Sequence, residues 1–122
     1  MKQSKIIAAY NALENLKRQN IRYPSSVSLA LFKVKKALQD QKEYQDEEQQ
    51  KIFEDLKPEV VDDHRFKFAS DEAAREFAKR LQELENLEVD LEFAKPTIKL
   101  CDDYGFTLAE IEALADFIEF EE

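Results

Sequence analysis

Apolar side chains recur at three- and four-residue intervals at the start of the chain, which is the spacing of one face of an α-helix. The first such stripe consists of Ile6, Tyr10, Leu13 and Leu16. Ser4 is placed to cap this helix, and Lys17 and Arg18 suit its negative C-terminal end. We therefore predict a first helix that starts at Ser4 and ends near Asn20.

A second helical stripe follows Pro24, where Ser25 or Ser26 can serve as the N-cap. Its apolar positions are Val27, Leu31, Val34 and Leu38, and the stripe resumes at Ile52, Phe53 and Leu56 before Pro58. The interval between these two parts is almost entirely polar, and Tyr44 is its one large apolar side chain.

One continuous helix over residues 26–57 would be about 48 Å long, which exceeds the diameter of a small domain. We expect its polar middle to stand in water or to face a partner. A break in the helix between residues 41 and 45 is the alternative.

Two later segments alternate polar and apolar residues, the two-residue period of a half-buried strand. They are residues 65–68 and residues 88–93, in which Val89, Leu91 and Phe93 are the apolar positions. Residues 98–100 indicate a short third strand. Because a helical segment separates the two clear strands, we predict a strand–helix–strand unit, and residues 62–64 read as a loop before it.

The helical segment between these strands has Ser70 as a suitable N-cap and should end near Asn86. Its predicted buried face consists of Ala74, Phe77, Ala78, Leu81 and Leu84. A last helix follows Gly105, which is placed to take a positive φ in a turn. Thr107 and Glu110 have the spacing of a capping box. The predicted apolar face of this helix consists of Leu108, Ile111, Leu114, Ala115 and Ile118.

These patterns predict an α+β fold, mostly helical, in a single domain spanning residues 1–122. Residues 1–57 would form an N-terminal helical hairpin with a long second helix. Residues 58–122 would form the strand–helix–strand unit and a C-terminal helix, giving a small two- or three-stranded sheet with two further helices. A composition of 43% hydrophobic and 37% charged residues suits a folded chain and provides no transmembrane segment.

The start of the chain lacks the apolar core of a secretory signal, and a single cysteine suits a reducing compartment. We therefore expect a cytoplasmic protein without a membrane partner. The charge is unevenly distributed. Residues 1–42 hold nine bases and two acids, a net charge of +7, whereas residues 43–122 hold nine bases and 25 acids, a net charge of −16. Such a split favours a charged partner, or attraction between the two parts.

Few residues offer catalytic or metal-binding chemistry. A single glycine excludes the familiar glycine-rich phosphate loops. His64, the only histidine, follows Asp62 and Asp63, but it has no second histidine to complete a metal site, so we interpret this segment as a solvated loop. Cys101 precedes two acids, which disfavour a reactive thiolate, so a buried structural cysteine is expected.

An acidic run on the second helix consists of Asp46, Glu47, Glu48, Glu54 and Asp55. Paired carboxylates can act as general acid and base, but a charge run on a helix more often forms a solvated face. We therefore predict no enzyme, with no catalytic residue, no cofactor and no metal ligand.

A basic group consists of Arg18, Arg22, Lys33, Lys35 and Lys36. It could meet phosphates, but it lacks interleaved aromatic residues, and the remainder of the chain would repel a nucleic acid. Weak nucleic-acid binding by the basic N-terminal hairpin is therefore a further alternative and not the main expectation. The acidic second part suggests the opposite alternative, in which its carboxylates imitate nucleic-acid phosphates and occupy a basic cleft on another protein.

One set of segments resembles a known family. The segments are Ile6-Ile7-Ala8-Ala9-Tyr10-Asn11-Ala12-Leu13 with Leu16, then Pro24, Ser28 and Leu31, then Val89, Leu91 and Lys99-Leu100, and finally Leu108-Ala109-Glu110-Ile111 and Phe117-Ile118-Glu119. In this order the chain resembles a family of small, uncharacterised proteins encoded in phages and prophages of Gram-positive bacteria. The resemblance implies a gene placed among those for tail or other late structural proteins, and it implies no catalytic residue.

The resulting expectation is a non-enzymatic phage or prophage accessory protein that acts by protein–protein contact, for example in virion (tail) assembly. Its partner would be a phage structural protein or a host protein, and Lys33, Lys35, Lys36 and Tyr44 are the predicted contact residues. The protein would lie in the cytoplasm of the bacterial host or be associated with the virion. Inhibition of a host nucleic-acid-handling or defence protein by charge mimicry is the alternative function. The chain could also form a homodimer.

Overall fold

The computed structural model describes residues 1–62, 65–92, 94–101 and 104–122, apart from the side chain of Phe66. Its elements in chain order are α1 (Gln3–Arg18), α2 (Ser25–Leu56), β1 (Glu59–Asp62), β2 (Arg65–Lys67), α3 (Asp71–Glu85), β3 (Thr97–Lys99), α4 (Leu108–Leu114) and β4 (Glu119–Glu121). The fold is α+β and mostly helical, with two packed N-terminal helices, small strands and two further helices, as the sequence predicts.

α1 and α2 pack together through the apolar stripes that the sequence indicates. The buried side chains at this contact are Ile6, Ala9, Leu13 and Leu16 from α1 and Val27, Ala30, Val34 and Leu38 from α2. The C-terminal part completes the same core with Ile98, Leu114, Phe117 and Ile118, each at most 1% exposed. Since burial of apolar surface contributes about 25 cal/mol per Å², this shared core fixes the helical hairpin onto the C-terminal part.

The start of α1 is held by a tertiary contact and not by a capping side chain. Lys2, and not Ser4, is the N-cap, and its side chain makes no capping hydrogen bond. The backbone amide of Gln3 donates to the carbonyl of Leu87, 2.8 Å away. The prediction of a serine cap at position 4 is therefore wrong, because the segment after α3 supplies the acceptor.

α2 also starts without a serine cap. Pro24 is its N-cap, and the carbonyl of Pro24 accepts hydrogen bonds of 3.0 Å from the amides of Val27 and Ser28. The predicted caps at Ser25 and Ser26 are wrong, because both residues already lie inside the helix.

α2 is one continuous helix of 32 residues, so the alternative with a break between residues 41 and 45 is wrong. The helix ends where Lys57 takes a left-handed conformation with φ 42° before Pro58. The polar middle is partly buried, since Gln45 is only 3% exposed. Gln3, which is fully buried, donates from its Nε2 to the backbone carbonyl of Gln41 at 3.0 Å. The start of α1 therefore covers part of a segment that we expected to face only water or a partner.

The far end of α2 packs against α3 through aromatic side chains. The centre of the Phe77 ring lies 5.3 Å from the centre of the Phe53 ring and 5.0 Å from the centre of the Phe68 ring. Arg80 on α3 donates to Asp55 on α2 at 2.9 Å. The predicted buried face of α3 is only partly correct: Leu84 is buried, whereas Ala78 is exposed.

The predicted strand–helix–strand unit is wrong. β2 pairs antiparallel with β1, which precedes it in the chain and includes Asp62, a residue that we expected in a loop. Residues 88–92 form no named strand; Glu88 makes an isolated bridge with Lys2, and the amide of Val89 donates to the carbonyl of Met1 at 2.8 Å. The expected strand residue Phe93 and the loop residues Asp63 and His64 lie outside the described residues. A local hairpin closes a shorter loop than a crossover and so costs less entropy.

β3 confirms the predicted third strand, but its partner is the unpredicted β4, which runs parallel to it with Ile98 opposite Phe120. α4 is the crossover between them and ends at Leu114, before Ala115 and Ile118, which we expected on its apolar face. The capping box is confirmed: the Thr107 amide donates to Glu110 Oε1 at 2.7 Å, and the Glu110 amide donates to Thr107 Oγ1 at 3.2 Å.

Two local predictions around α4 are wrong. Leu108, expected on its buried face, is 72% exposed because it occupies the first helical position beyond the cap. Gly105 does not have a positive φ; among the described residues, Asn20 and Lys57 do. Both of these end a helix, where the left-handed conformation terminates the hydrogen-bond ladder.

Candidate protein-binding groove

An open apolar groove of about 530 Å³ lies where α1 passes through residues 19–24 into α2. We call it the hairpin groove. Its α1 side consists of Leu13, Leu16, Lys17 and Asn20, the connection contributes Ile21 and Tyr23, and its α2 side consists of Ser28, Leu31, Phe32, Lys35, Lys36 and Gln39. On the α1 side the apolar lining is formed by the nearly buried Leu13 and Leu16, whereas on the α2 side Leu31 and the exposed Phe32 extend it beyond the helix contact.

The end of the groove is fixed by contacts to the C-terminal part. The ring of Tyr23 stacks on Phe106 at 5.6 Å and meets Tyr104 edge to face at 5.4 Å. Gln19 donates from Nε2 to Glu110 at 3.4 Å. These contacts hold the connection between the helices in place, so the groove does not depend on a free loop.

The Tyr23 side chain also carries an unpaired polar atom. Its hydroxyl oxygen is buried and has no hydrogen-bond partner within the described part of the chain. Burial raises the pKa of the Tyr23 phenol, and the carboxylate of Glu110 and the phenol of Tyr104 add to the shift.

Phe32 is the most unusual residue of the groove. Its side chain is 59% exposed on α2, and Leu29, one turn earlier, is 52% exposed. Ile21 at the end of the groove is 36% exposed. Neighbouring exposed apolar side chains of this kind mark contact surfaces more often than ordinary solvent-facing positions do.

The rim of the groove is basic, and part of this charge is uncompensated. Lys35 is engaged by Glu14, whose carboxylate lies 2.5 Å from its Nζ, and it lies 5.7 Å from the centre of the Tyr10 ring. Lys17 and Lys36 make no salt bridge with any described residue. Positive charge therefore flanks the groove on both helices, with Lys17 also interacting electrostatically with Glu14 from beyond salt-bridge distance.

The hydrogen bond from Lys35 lowers the pKa of the Glu14 carboxyl, against the opposing effect of its own desolvation. The structure thus separates the lysines predicted as contact residues into two roles. Lys35 stabilises the hairpin, and Lys36 remains available on the rim.

The other two predicted contact residues do not belong to this surface. Lys33 is exposed on α2 but does not line the groove, and Tyr44, 44% exposed, lies eight residues beyond Lys36. At 1.5 Å per residue this separates Tyr44 from Lys36 by about 12 Å along the helix. The sequence pattern did not identify Phe32 and Ile21 as contact residues. Phe32 could have been recognised because it is a large apolar residue next to Leu31 but outside the apolar stripe of the second helix.

The remaining candidate chemistry does not form a site. Cys101 is exposed, so the prediction of a buried cysteine is wrong; Tyr104, its partner in an isolated bridge, is the buried residue. The Tyr104 hydroxyl donates to the carbonyl of Lys99. Within residues 1–62, 65–92, 94–101 and 104–122, no group of three or more His, Cys, Asp or Glu side chains could hold a metal ion.

The acidic run on α2 is exposed apart from the half-buried Glu48, and it is partly paired with bases. Asp46 lies 3.1 Å from Lys42, Glu48 lies 2.9 Å from Lys51, and Asp55 contacts α3 as described above. These ion pairs are consistent with a solvated helix face.

Among the residues that the structure describes, none of the helices combines the length and the apolar character that a membrane span requires.

No protein-family model matches this chain, and neither curated proteins nor solved structures include a significant match.

Proposed function

We propose that this chain is a non-enzymatic binding protein that acts by protein–protein contact, and that the hairpin groove is its contact surface. The observation that carries the proposal is the 59% exposure of Phe32 at the wall of an open apolar groove. Complete burial of such a side chain contributes about 1.5–3 kcal/mol, which a partner would supply.

The lining of the groove supports binding of a partner. Its side chains are apolar, amide, hydroxyl or lysine, and none of them is a carboxylate, an imidazole or a thiol. The groove provides shape, apolar surface and positive charge, which are the features that recognise a macromolecule.

The biological setting that we propose is a phage or prophage of a Gram-positive bacterium, with a role as an accessory protein in virion or tail assembly. The support for this setting is the resemblance of segments from Ile6–Leu13 to Phe117–Glu119 to small phage proteins. The partner would then be a phage structural protein or a host protein.

The proposal is tested by capture from cells in which such a prophage is induced, followed by identification of the bound proteins by mass spectrometry. We expect the wild-type chain to retain a specific partner and Phe32→Ala to lose it. Leu108→Ala is the matched control, because Leu108 is 72% exposed and lies outside the groove. Equal capture by all three chains, or no specific partner for the wild type, would contradict the proposal.

The same capture experiment distinguishes contact through the groove from charge mimicry of a nucleic acid. Glu72, Glu76 and Glu83 are exposed on α3, and mimicry requires that changing all three to Gln releases the partner. The groove proposal requires that this triple variant still captures the partner, because α3 contributes no residue to the groove.

A further inference from the structure

We infer that the ligand of the hairpin groove is an amphipathic α-helix of a partner protein, apolar on the face that enters the groove and acidic along both edges of that face. This inference rests on the proposed function and specifies the chemistry of the partner. The juxtaposition that carries it is an apolar floor between Lys17 on α1 and Lys36 on α2.

The size of the groove fits a short helical segment. Its α2 side extends from Ser28 to Gln39, which is about 16 Å at 1.5 Å per residue, or about three helical turns. A helix of that length presents apolar side chains at positions i, i+3, i+4 and i+7. Among the lining residues, the exposed Phe32 and Ile21 and the half-buried Leu31 offer apolar surface for these contacts.

The positive charges of Lys17 and Lys36 favour a bound helix with acidic residues along its edges. Lys17 and Lys36 lack salt-bridge partners among the residues that the structure describes, whereas Lys35 is already paired with Glu14. A carboxylate on each edge of the bound helix would pair with one free lysine. A basic edge would place like charges next to each other, which costs affinity and disfavours the wrong partner.

A nucleic acid fits this surface less well. Phosphate contacts would use the lysines at the rim but would leave Phe32, Leu31 and Ile21 uncovered. Binding to phosphates also needs many cations, because affinity grows with the number of neutralised phosphates. The remainder of the chain, with a net charge of −16 over residues 43–122, would repel the nucleic acid.

A second copy of this chain also fits less well. The acidic helices are the far half of α2 and α3, and their aromatic side chains already pack on each other through Phe53 and Phe77. The large exposed apolar residues of the described part after residue 57 are Val60, Val61, Leu87 and Leu108, and only Leu108 is helical. The described part of the chain after residue 57 therefore offers no exposed acidic amphipathic helix for the groove of a second copy.

The test uses the full chain and three labelled synthetic peptides of about three to four turns, measured by fluorescence anisotropy. The first peptide has Leu or Phe at i, i+3, i+4 and i+7 with Glu along both edges. The second replaces these Glu by Lys, and the third is a scrambled form of the first. We expect the first peptide to bind at least about tenfold more tightly than either of the others, and to weaken as salt screens the charge pairs.

Three variants identify the groove as the binding site. Phe32→Ala should weaken binding of the acidic peptide by about tenfold, as loss of a buried aromatic anchor does. The double variant Lys17→Glu, Lys36→Glu should reverse the preference, so that the Lys peptide binds more tightly than the Glu peptide. Lys33→Glu is the matched control, because Lys33 is exposed on the same helix outside the groove, and it should leave the preference unchanged.

Several results would overturn the inference. They are the absence of saturable binding by every peptide, equal affinity of the Glu and Lys peptides, an effect of Lys33→Glu as large as that of the double variant, and displacement of the acidic peptide by a short DNA duplex at a lower concentration than by unlabelled peptide. If Phe32→Ala abolishes capture in cells but no peptide binds, the inference fails and the proposed function stands. If capture is indifferent to Phe32, the proposed function itself fails.

Discussion

Lys35 on α2 and Glu14 on α1 form a salt bridge of 2.5 Å across the helical hairpin, at the edge of the groove that the hairpin encloses. The side chains are 25% and 31% exposed, so the pair is more shielded than a typical surface ion pair. This pair decides which positive charges remain available on the rim, because it engages Lys35 and leaves Lys36 free. It also makes the stability of the hairpin sensitive to acid.

Glu14→Gln should reduce the acid sensitivity of folding. The pKa of Glu14 is lowered in the folded state, chiefly by the hydrogen bond from Lys35. Its contribution to stability is therefore present above the ordinary carboxyl pKa and is lost as the pH falls through the lowered value. We expect the variant to lose less than about 1 kcal/mol at neutral pH and to show a flatter stability profile below about pH 4.5. Urea unfolding at several pH values measures this, with Glu76→Gln as an exposed control on α3.

Tyr23→Phe should stabilise the protein. The Tyr23 hydroxyl is buried without a described partner, and such a group costs about 1–3 kcal/mol. We expect a gain of about 1 kcal/mol at neutral pH, measured by chemical unfolding, and no gain for Tyr44→Phe, whose side chain is 44% exposed. A loss of stability in the Tyr23 variant would mean that the hydroxyl has a stabilising partner.

The same variant should change the response to alkali. Burial raises the pKa of Tyr23, so the folded state favours the neutral phenol. Its contribution is complete below the ordinary phenol pKa of about 10 and is lost as the pH rises through the raised value. Tyr23→Phe should therefore unfold less readily above about pH 10. The raised pKa of Tyr104, also caused mainly by burial, leaves a remaining alkaline loss in this variant.

Truncation of Phe117 should destabilise the fold strongly, whereas truncation of Phe32 should leave its stability almost unchanged. Phe117 is fully buried in the core, so Phe117→Ala should cost about 3–5 kcal/mol of unfolding free energy. Phe32 is 59% exposed, and Phe32→Ala should change stability by less than about 0.5 kcal/mol. Thermal and urea unfolding measure both. A large loss for Phe32→Ala would show that this side chain supports the fold, which would weaken its assignment as a contact residue.

Replacement of Ser70 and of Ser25 by Ala should have different effects on stability, although both residues were predicted to be helix caps. The Ser70 hydroxyl accepts a hydrogen bond from the Ala73 amide at 3.1 Å, so Ser70→Ala should cost about 1 kcal/mol. Ser25 makes no capping bond and lies in the first turn of α2, so Ser25→Ala should be neutral or slightly stabilising. Equal losses for the two variants would contradict this assignment.

The groove could be predicted only in part from the sequence. The stripe that includes Leu13, Leu16 and Leu31 identified helix faces, and the basic group included Lys36. The sequence did not reveal that Lys35 is engaged by Glu14, because that pair joins two helices. It also did not reveal that Phe32 stands beside a cleft, since exposure is set by what the neighbouring helix leaves uncovered.

The sequence alone determined the local features of this protein: the helices, the caps at Ser70 and Thr107, and the short strand β3. These depend on side-chain periodicity and on hydrogen bonds between residues a few positions apart. Only the tertiary structure decided how the strands pair, which lysines stay free and where α1 begins, with the Gln3 amide bound to Leu87. Those outcomes depend on contacts between residues far apart in the chain, where competing partners differ by small free energies that no local pattern encodes.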